Sequence, residues 1–139
     1  MIRAATKQDL KGVYILMRQL SRHEFTDEQF EDCYLYNLEN NHVLLYEQDE
    51  NIYGCGILGI HYPLDYARRV AEVVELIVDE NARGQGIGKK LITALEQIAI
   101  DNGCACIFLG SGKNRKDAHR FYEREGFVSS HYKFTKGLI

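Results

Sequence analysis

The run Arg83-Gly84-Gln85-Gly86-Ile87-Gly88-Lys89-Lys90 follows an apolar stretch, Ala71 to Val78, that reads as a buried strand, and it leads directly into an amphipathic helix. Glycines at alternate positions let the backbone approach an anion without side-chain interference. The helix that begins there offers unpaired N–H groups and the positive end of its dipole. This order of elements predicts a pyrophosphate cradle. A Walker A loop is excluded, because Arg83 and Lys90 stand where Gly and Ser/Thr are required. A dinucleotide fingerprint fails as well: the third glycine comes one residue early and the strand is the fourth in the chain.

The elements that must hold this loop can be read from periodicity and caps. Ile2 to Ala5 predicts a short strand, and Thr6 is the expected N-cap of a helix carrying Leu10, Val13, Tyr14, Leu16, Met17 and Leu20. Thr26-Asp27-Glu28-Gln29 opens a second helix through Asn37 or Glu39, with Phe30, Cys33, Tyr34 and Leu38 as its apolar positions. His42 to Glu47 and Ile52 to His61 predict an antiparallel hairpin across Gln48-Asp49-Glu50-Asn51, its second strand made easy to bend by Gly54, Gly56 and Gly59.

After the glycine loop, Leu91, Ile92, Leu95, Ile98 and Ala99 predict a helix from Gly88 to Asp101, stopped by Asn102-Gly103. Cys104 to Leu109 then completes a right-handed βαβ unit with Ala71 to Val78. A last helix runs from about Lys116 to Glu125, and a strand from His131 to Lys136 closes the chain. The expected fold is α/β, a mixed and mostly antiparallel sheet with about four helices, in a single domain over residues 1–139.

Composition sets bounds. With 139 residues, 45% hydrophobic and 27% charged, the chain suits one modest core, and a net charge of −3 without a basic run argues against nucleic acid as the main ligand. The apolar stretches are far short of a membrane span and the N-terminus is too polar for a secretory signal, so a cytoplasmic protein is expected. Cys33, Cys55, Cys104 and Cys106 lack Cys-x-x-Cys spacing and read as buried free thiols. The histidines are scattered, and no metal site is expected.

The spacing Arg/Gln-x-x-Gly-x-Gly/Ala after an apolar strand, followed some forty residues on by Phe121-Tyr122-Glu123-Arg124-Glu125-Gly126-Phe127, resembles the GNAT N-acetyltransferase family. The resemblance runs from Ile2 to Lys136, with two departures: Glu80 replaces a usual Pro, and Arg115 replaces a common Asn. It implies the acyl-CoA N-acyltransferase fold and acetyl-CoA as co-substrate. It further implies that the loop Arg83, Gly84, Gln85, Gly86, Ile87, Gly88 and Lys89 takes the pyrophosphate, and that backbone groups of Leu76, Ile77 and Val78 pair with the pantetheine arm. Arg115 and Phe121 are expected on the same side of the cofactor.

Tyr122 stands at the family's general-acid position, to protonate the departing thiolate. An ordinary Tyr near 10 facing a thiol near 8.5 makes that transfer uphill by roughly 2 kcal/mol unless the site lowers the Tyr pKa. Arg115 is expected to supply the positive field. Glu72 and Glu75 match acidic positions used in the family, and strand alternation puts them on opposite faces, so that one alone enters the cleft. Glu75 is the favoured base. A carboxylate near 4.3 is mismatched to an ammonium near 10 by roughly 8 kcal/mol, so it works through water or steadies the amine.

Stretches outside the cofactor motif, including Val13-Tyr14, Glu24-Phe25, Gly59-Ile60-His61 and Ser130 to Lys136, resemble the bacterial aminoalkylphosphonate N-acetyltransferases within the family. That resemblance implies a small primary-amine substrate, with His61 and Arg69 as candidate partners for a phosphonate; Arg68, His131 and Lys133 are further sources of charge. Amino sugars, polyamines, aminoglycosides and protein amines stay open as acceptors. So does a non-catalytic acyl-CoA sensor, which needs neither Tyr122 nor a cleft carboxylate. A homodimer through the C-terminal strands is implied by analogy with relatives.

Overall fold

The computed structural model describes residues 1–21 and 23–139. Its strands β1 (Ile2–Ala4), β2 (His42–Gln48), β3 (Asn51–His61), β4 (Val70–Val78) and β5 (Ile107–Phe108) form one sheet in the order β1-β2-β3-β4-β5. The first four pair antiparallel, whereas β4 and β5 run parallel. Helices α1 (Leu10–Leu20) and α2 (Asp27–Asn40) cover one face; α3 (Ile87–Asp101) and α4 (Lys116–Arg124) pack on the other.

Local chemistry explains most boundaries. Thr26 caps α2 reciprocally: its Oγ1 accepts from the Gln29 N–H at 3.1 Å while Gln29 Oε1 accepts from the Thr26 N–H at 2.8 Å. Thr6 precedes a single 3-10 turn, Lys7–Asp9, and α1 starts only at Leu10. The Asp9 carboxylate takes the Thr6 N–H at 2.8 Å and both terminal nitrogens of Arg3 at 2.9 and 2.8 Å, and Arg3 foremost lowers its pKa to about 2. The β2–β3 turn places Asp49 and Glu50 at φ 51° and 64°, the paired left-handed conformation that matches strand twist in a two-residue hairpin.

Two glycines of β3 serve close packing. A Cβ on Gly54 would lie 2.9 Å from Ile87 Cγ2 and Leu91 Cδ1, and one on Gly56 would lie 3.0 Å from Leu95 Cδ1. Missing side chains thus let α3 settle onto β3, and Leu91, Ile92 and Leu95 are fully buried there.

Three expectations are corrected. The strand placed at Cys104 to Leu109 is ordered as a ladder only at Ile107–Phe108. No strand forms at His131 to Lys136: the segment is irregular, and Tyr132 and Phe134 are 83% and 93% exposed. Its residues have strand propensity, but a ladder needs a partner edge, and β5 is too short to offer one. The cysteines are free, yet only Cys55 is buried; Cys33 is exposed. Burial, with the nearby charge of Glu75, pushes the Cys55 thiol up to about 12, which makes it inert. Among the described residues no helix is long and apolar enough to cross a membrane.

Candidate active site

The sheet splits ahead of the glycine loop. β4 and β5 pair only through Ala71 with Ile107 and Glu72 with Phe108, while β4 continues to Val78. Along Leu76, Ile77 and Val78 the β5-side edge of β4 has no strand partner, so an extended arm bearing amide groups can add there as a strand would. Continuing the β4–β5 register would bring Ser111 opposite Glu75. The Ser111 hydroxyl is buried with no hydrogen-bond partner among the described residues. An orphaned buried hydroxyl costs stability, and this one lies in the segment that leaves β4 at the split. Sequence reasoning passed over Ser111, whose only signal was the local Gly110-Ser111-Gly112.

At the end of β4, Asp79 accepts the Asn81 N–H at 2.9 Å and starts a tight turn, Glu80–Ala82, without the usual Pro. Gly84 and Gly86 then take φ +80° and +79°, conformations that other L-residues adopt only under strain, and open space lies where their Cβ atoms would be. Gly86 is the N-cap of α3 and brings no capping side chain. The first helical bond runs from the Lys90 N–H to the Gly86 carbonyl at 3.1 Å, so the N–H groups of Ile87, Gly88 and Lys89 have no partner within the helix. Ile87 anchors the turn in the core, whereas Arg83, Gln85 and Lys89 are exposed around it. A Cβ on Gly88 would lie 3.3 Å from Phe121 Cζ, so α4 is packed directly on the cradle.

The two glutamates share a face, contrary to the alternation of the strand. Val73 pairs with Leu58 and Glu75 with Ile57, so adjacent residues of β3 face residues two apart on β4, and Val74 is the extra residue of a β-bulge. The insertion resets the phase: Val73 and Leu76 both face α3, and Glu72 and Glu75 both lie on the α1–α2 face. Glu75 is reached by solvent, yet the protein around it desolvates the carboxyl and raises its pKa above the ordinary value. It has no hydrogen-bond or ion-pair partner among the described residues. Glu72 is engaged instead, 3.0 Å from His61 Nε2.

Tyr122 projects from α4 and is wedged edge-on between Phe121 and Phe127, with ring centroids 5.4 and 5.8 Å away. Burial raises its pKa, and Arg115 offsets this only in part. The field expected from Arg115 is therefore present but loses to desolvation, and the phenol holds its proton more firmly than a free one. Arg115 itself is the N-cap residue of α4. Of the phosphonate candidates, His61 is committed to Glu72, and Arg69 lies with its guanidinium 5.6 Å from the centre of the Tyr62 ring, in the exposed loop before β4.

An open β4 edge thus runs into the glycine turn, with Glu75 on the α1–α2 face of the sheet and Tyr122 on α4, packed against the other. The sequence profile of the Acetyltransferase (GNAT) family matches residues 10–127. The chain is 36% identical over 139 residues to the aminoalkylphosphonate N-acetyltransferase of Salmonella typhimurium, covering 99% of this chain and 90% of that one. It is 30% identical over 127 residues to a probable glucosamine 6-phosphate N-acetyltransferase of Oryza sativa, covering 85% and 75% of the two chains. The structure of a putative acetyltransferase from Agrobacterium tumefaciens superposes with a TM-score of 0.88 at 25% identity, covering 99% of both chains. The chain belongs to the acetyltransferase (GNAT) family. It is an N-acetyltransferase, in a family whose enzymes use acetyl-CoA as co-substrate.

Proposed function

We propose that the protein acetylates the primary amine of an aminoalkylphosphonate, with acetyl-CoA held along the β4 edge and the glycine cradle. The likeness of nearly the whole chain to the Salmonella typhimurium enzyme carries the acceptor. The orphaned Ser111 hydroxyl at the strand split supports the cofactor half. Acetyl-CoA supplies the thioester carbonyl that the amine attacks. The N–H groups of Ile87, Gly88 and Lys89, with Arg83 and Gln85 around them, hold the pyrophosphate, and Leu76 to Val78 align the arm. Glu75 draws in the ammonium and takes its proton through water. Tyr122 holds the proton destined for the departing sulfur. The free cysteines support a reducing, cytoplasmic setting, and the exposed apolar residues of the C-terminal segment support a homodimer.

Thiol release from acetyl-CoA, measured with aminoalkylphosphonates, amino sugars, polyamines and a lysine peptide, tests this reading. Turnover selective for phosphonates is expected. Selectivity for another amine discards the phosphonate, and acetyl-CoA binding without turnover on any amine would leave a sensor.

Glu75 has its own test in the pH profile. A base with a raised pKa is active above that pKa, so the acidic limb of kcat/KM should lie above the ordinary carboxylate range and vanish in Glu75→Gln, together with at least a tenfold loss at neutral pH. Stability should move the other way. A carboxyl whose folded pKa is raised binds its proton more tightly when folded, so its ionisation destabilises the fold as pH rises through the unfolded and then the folded value; Glu75→Gln removes that penalty and should raise Tm at pH 7. An unaltered limb in both Glu75→Gln and Glu72→Gln means that the amine arrives already deprotonated.

A further inference from the structure

We propose that Arg18 is the residue that docks the anionic group of the acceptor, an inference that rests on the acceptor reading above. Arg18 is exposed near the end of α1, where an arginine would ordinarily wander in solvent. Here it is fixed. Its guanidinium carbon lies 4.3 Å from the centre of the Phe25 ring and 5.4 Å from that of Tyr14, and its Nε donates to the Tyr14 hydroxyl at 3.1 Å. Those rings belong to a rooted cluster: Tyr14 meets Phe30 edge-on at 5.2 Å, Phe30 stacks on buried Tyr34 at 6.3 Å, and the Tyr34 hydroxyl donates to the Thr6 carbonyl at 2.6 Å. Stacking and the Nε bond leave the two terminal nitrogens of the guanidinium free, and Arg18 forms no ion pair among the described residues. A planar fork already held in place and lacking a carboxylate suits bidentate contact with phosphonate or phosphate oxygens.

The path of α1 brings the turn that carries this fork to the end of β4. The chain enters from the β2 side, with the Ala5 N–H on the Val43 carbonyl at 2.9 Å, and its last turn reaches the end of β4, where Gln19 donates to Asp79 at 3.0 Å and accepts from the Glu80 N–H at 3.0 Å. Gly12, whose Cβ would lie 2.7 Å from Ile52 Cδ1, shares with Gln19 the flank that looks toward the hairpin-turn end of the sheet. Val13 and Leu16 face the sheet. Tyr14 and Arg18, one turn apart, lie off both of these, on the side of α1 that meets Phe25 and, on α2, Phe30. On the face of the sheet that α1 and α2 cover, Glu75 and Glu72 are the carboxylates for the ammonium, and in this assignment Arg18 supplies the opposite charge for the other end of a zwitterionic amine. His61, a candidate that the resemblance implied, is already engaged by Glu72.

Calorimetric titration of 2-aminoethylphosphonate into the CoA-saturated protein, with wild type and Arg18→Gln side by side, tests the assignment together with kcat/KM for 2-aminoethylphosphonate, glucosamine 6-phosphate and propylamine. Affinity for the phosphonate is expected to fall at least tenfold in Arg18→Gln, and its kcat/KM relative to propylamine by a similar factor. Should Arg18→Gln lose its melting transition, Arg18→Lys, which keeps charge and stem but not the fork, is read in its place and should lose at least threefold. Equal affinity in variant and wild type, an equal loss on charged and uncharged amines, or no preference of the wild type for anionic amines overturns the role of Arg18. An Arg18-dependent preference for the sugar phosphate keeps the role and discards only the phosphonate as acceptor.

Discussion

Gly86→Asp is expected to raise the KM for acetyl-CoA at least a hundredfold while shifting Tm by less than about 5 °C. The two readouts part because the position has two unrelated duties. As the N-cap of α3, Gly86 takes φ +79°, and a side chain there meets only open space, so no atoms clash. Aspartate is among the residues that best tolerate this conformation; its cost of about 1–2 kcal/mol is partly returned by about 0.3–1 kcal/mol from a negative charge at the positive end of the helix dipole. A net change near 1 kcal/mol moves Tm by only a few degrees. Binding is different. The new carboxylate would occupy the N–H groups of the first turn of α3 and repel the incoming pyrophosphate, and a hundredfold loss is about 2.8 kcal/mol. If the loop were simply a strand-to-helix turn, calorimetry of acetyl-CoA with Gly86→Asp would show unaltered affinity.

Tyr122→Phe should lower kcat at least tenfold and leave acetyl-CoA affinity nearly intact. The ring of Tyr122 is held by Phe121 and Phe127, contacts that phenylalanine reproduces, and its hydroxyl makes no hydrogen bond within the protein among the described residues, so nothing is orphaned by its removal. What disappears is the proton. Burial raises the pKa of Tyr122 against the weaker pull of Arg115, so the phenol stays protonated up to and beyond the ordinary tyrosine range, and the variant should keep the wild-type pH profile at reduced height. Single-turnover release of CoA isolates this step from product release. Unchanged turnover in that measurement removes Tyr122 from the mechanism, and a large loss of acetyl-CoA affinity would recast it as a packing residue.

How much of this site was legible in the chain divides by the range of the interactions. The glycine turn was legible because each part of it is local: alternate glycines, a helix start and an apolar strand lie within one short run, and the φ values of Gly84 and Gly86 answer the residue types directly. The cap at Thr26, the α3 stripe and the parallel return to β5 follow from equally short-range rules. Alternation failed at Glu72 and Glu75. It counts residues along one strand, and the bulge at Val74 depends on how that strand registers with β3. The strand expected at His131 to Lys136 failed for a related reason, since propensity offers hydrogen-bonding groups but only a neighbouring edge can pair them. The burial of the orphaned Ser111 hydroxyl, and the Tyr34–Thr6 bond that roots the ring cluster under Arg18, arise between segments far apart in the chain. Glycine freedom, helix periodicity and capping act over a few residues and are written in the sequence; cross-strand register and the burial of a polar atom arise only when distant segments meet, and the tertiary structure alone decided them.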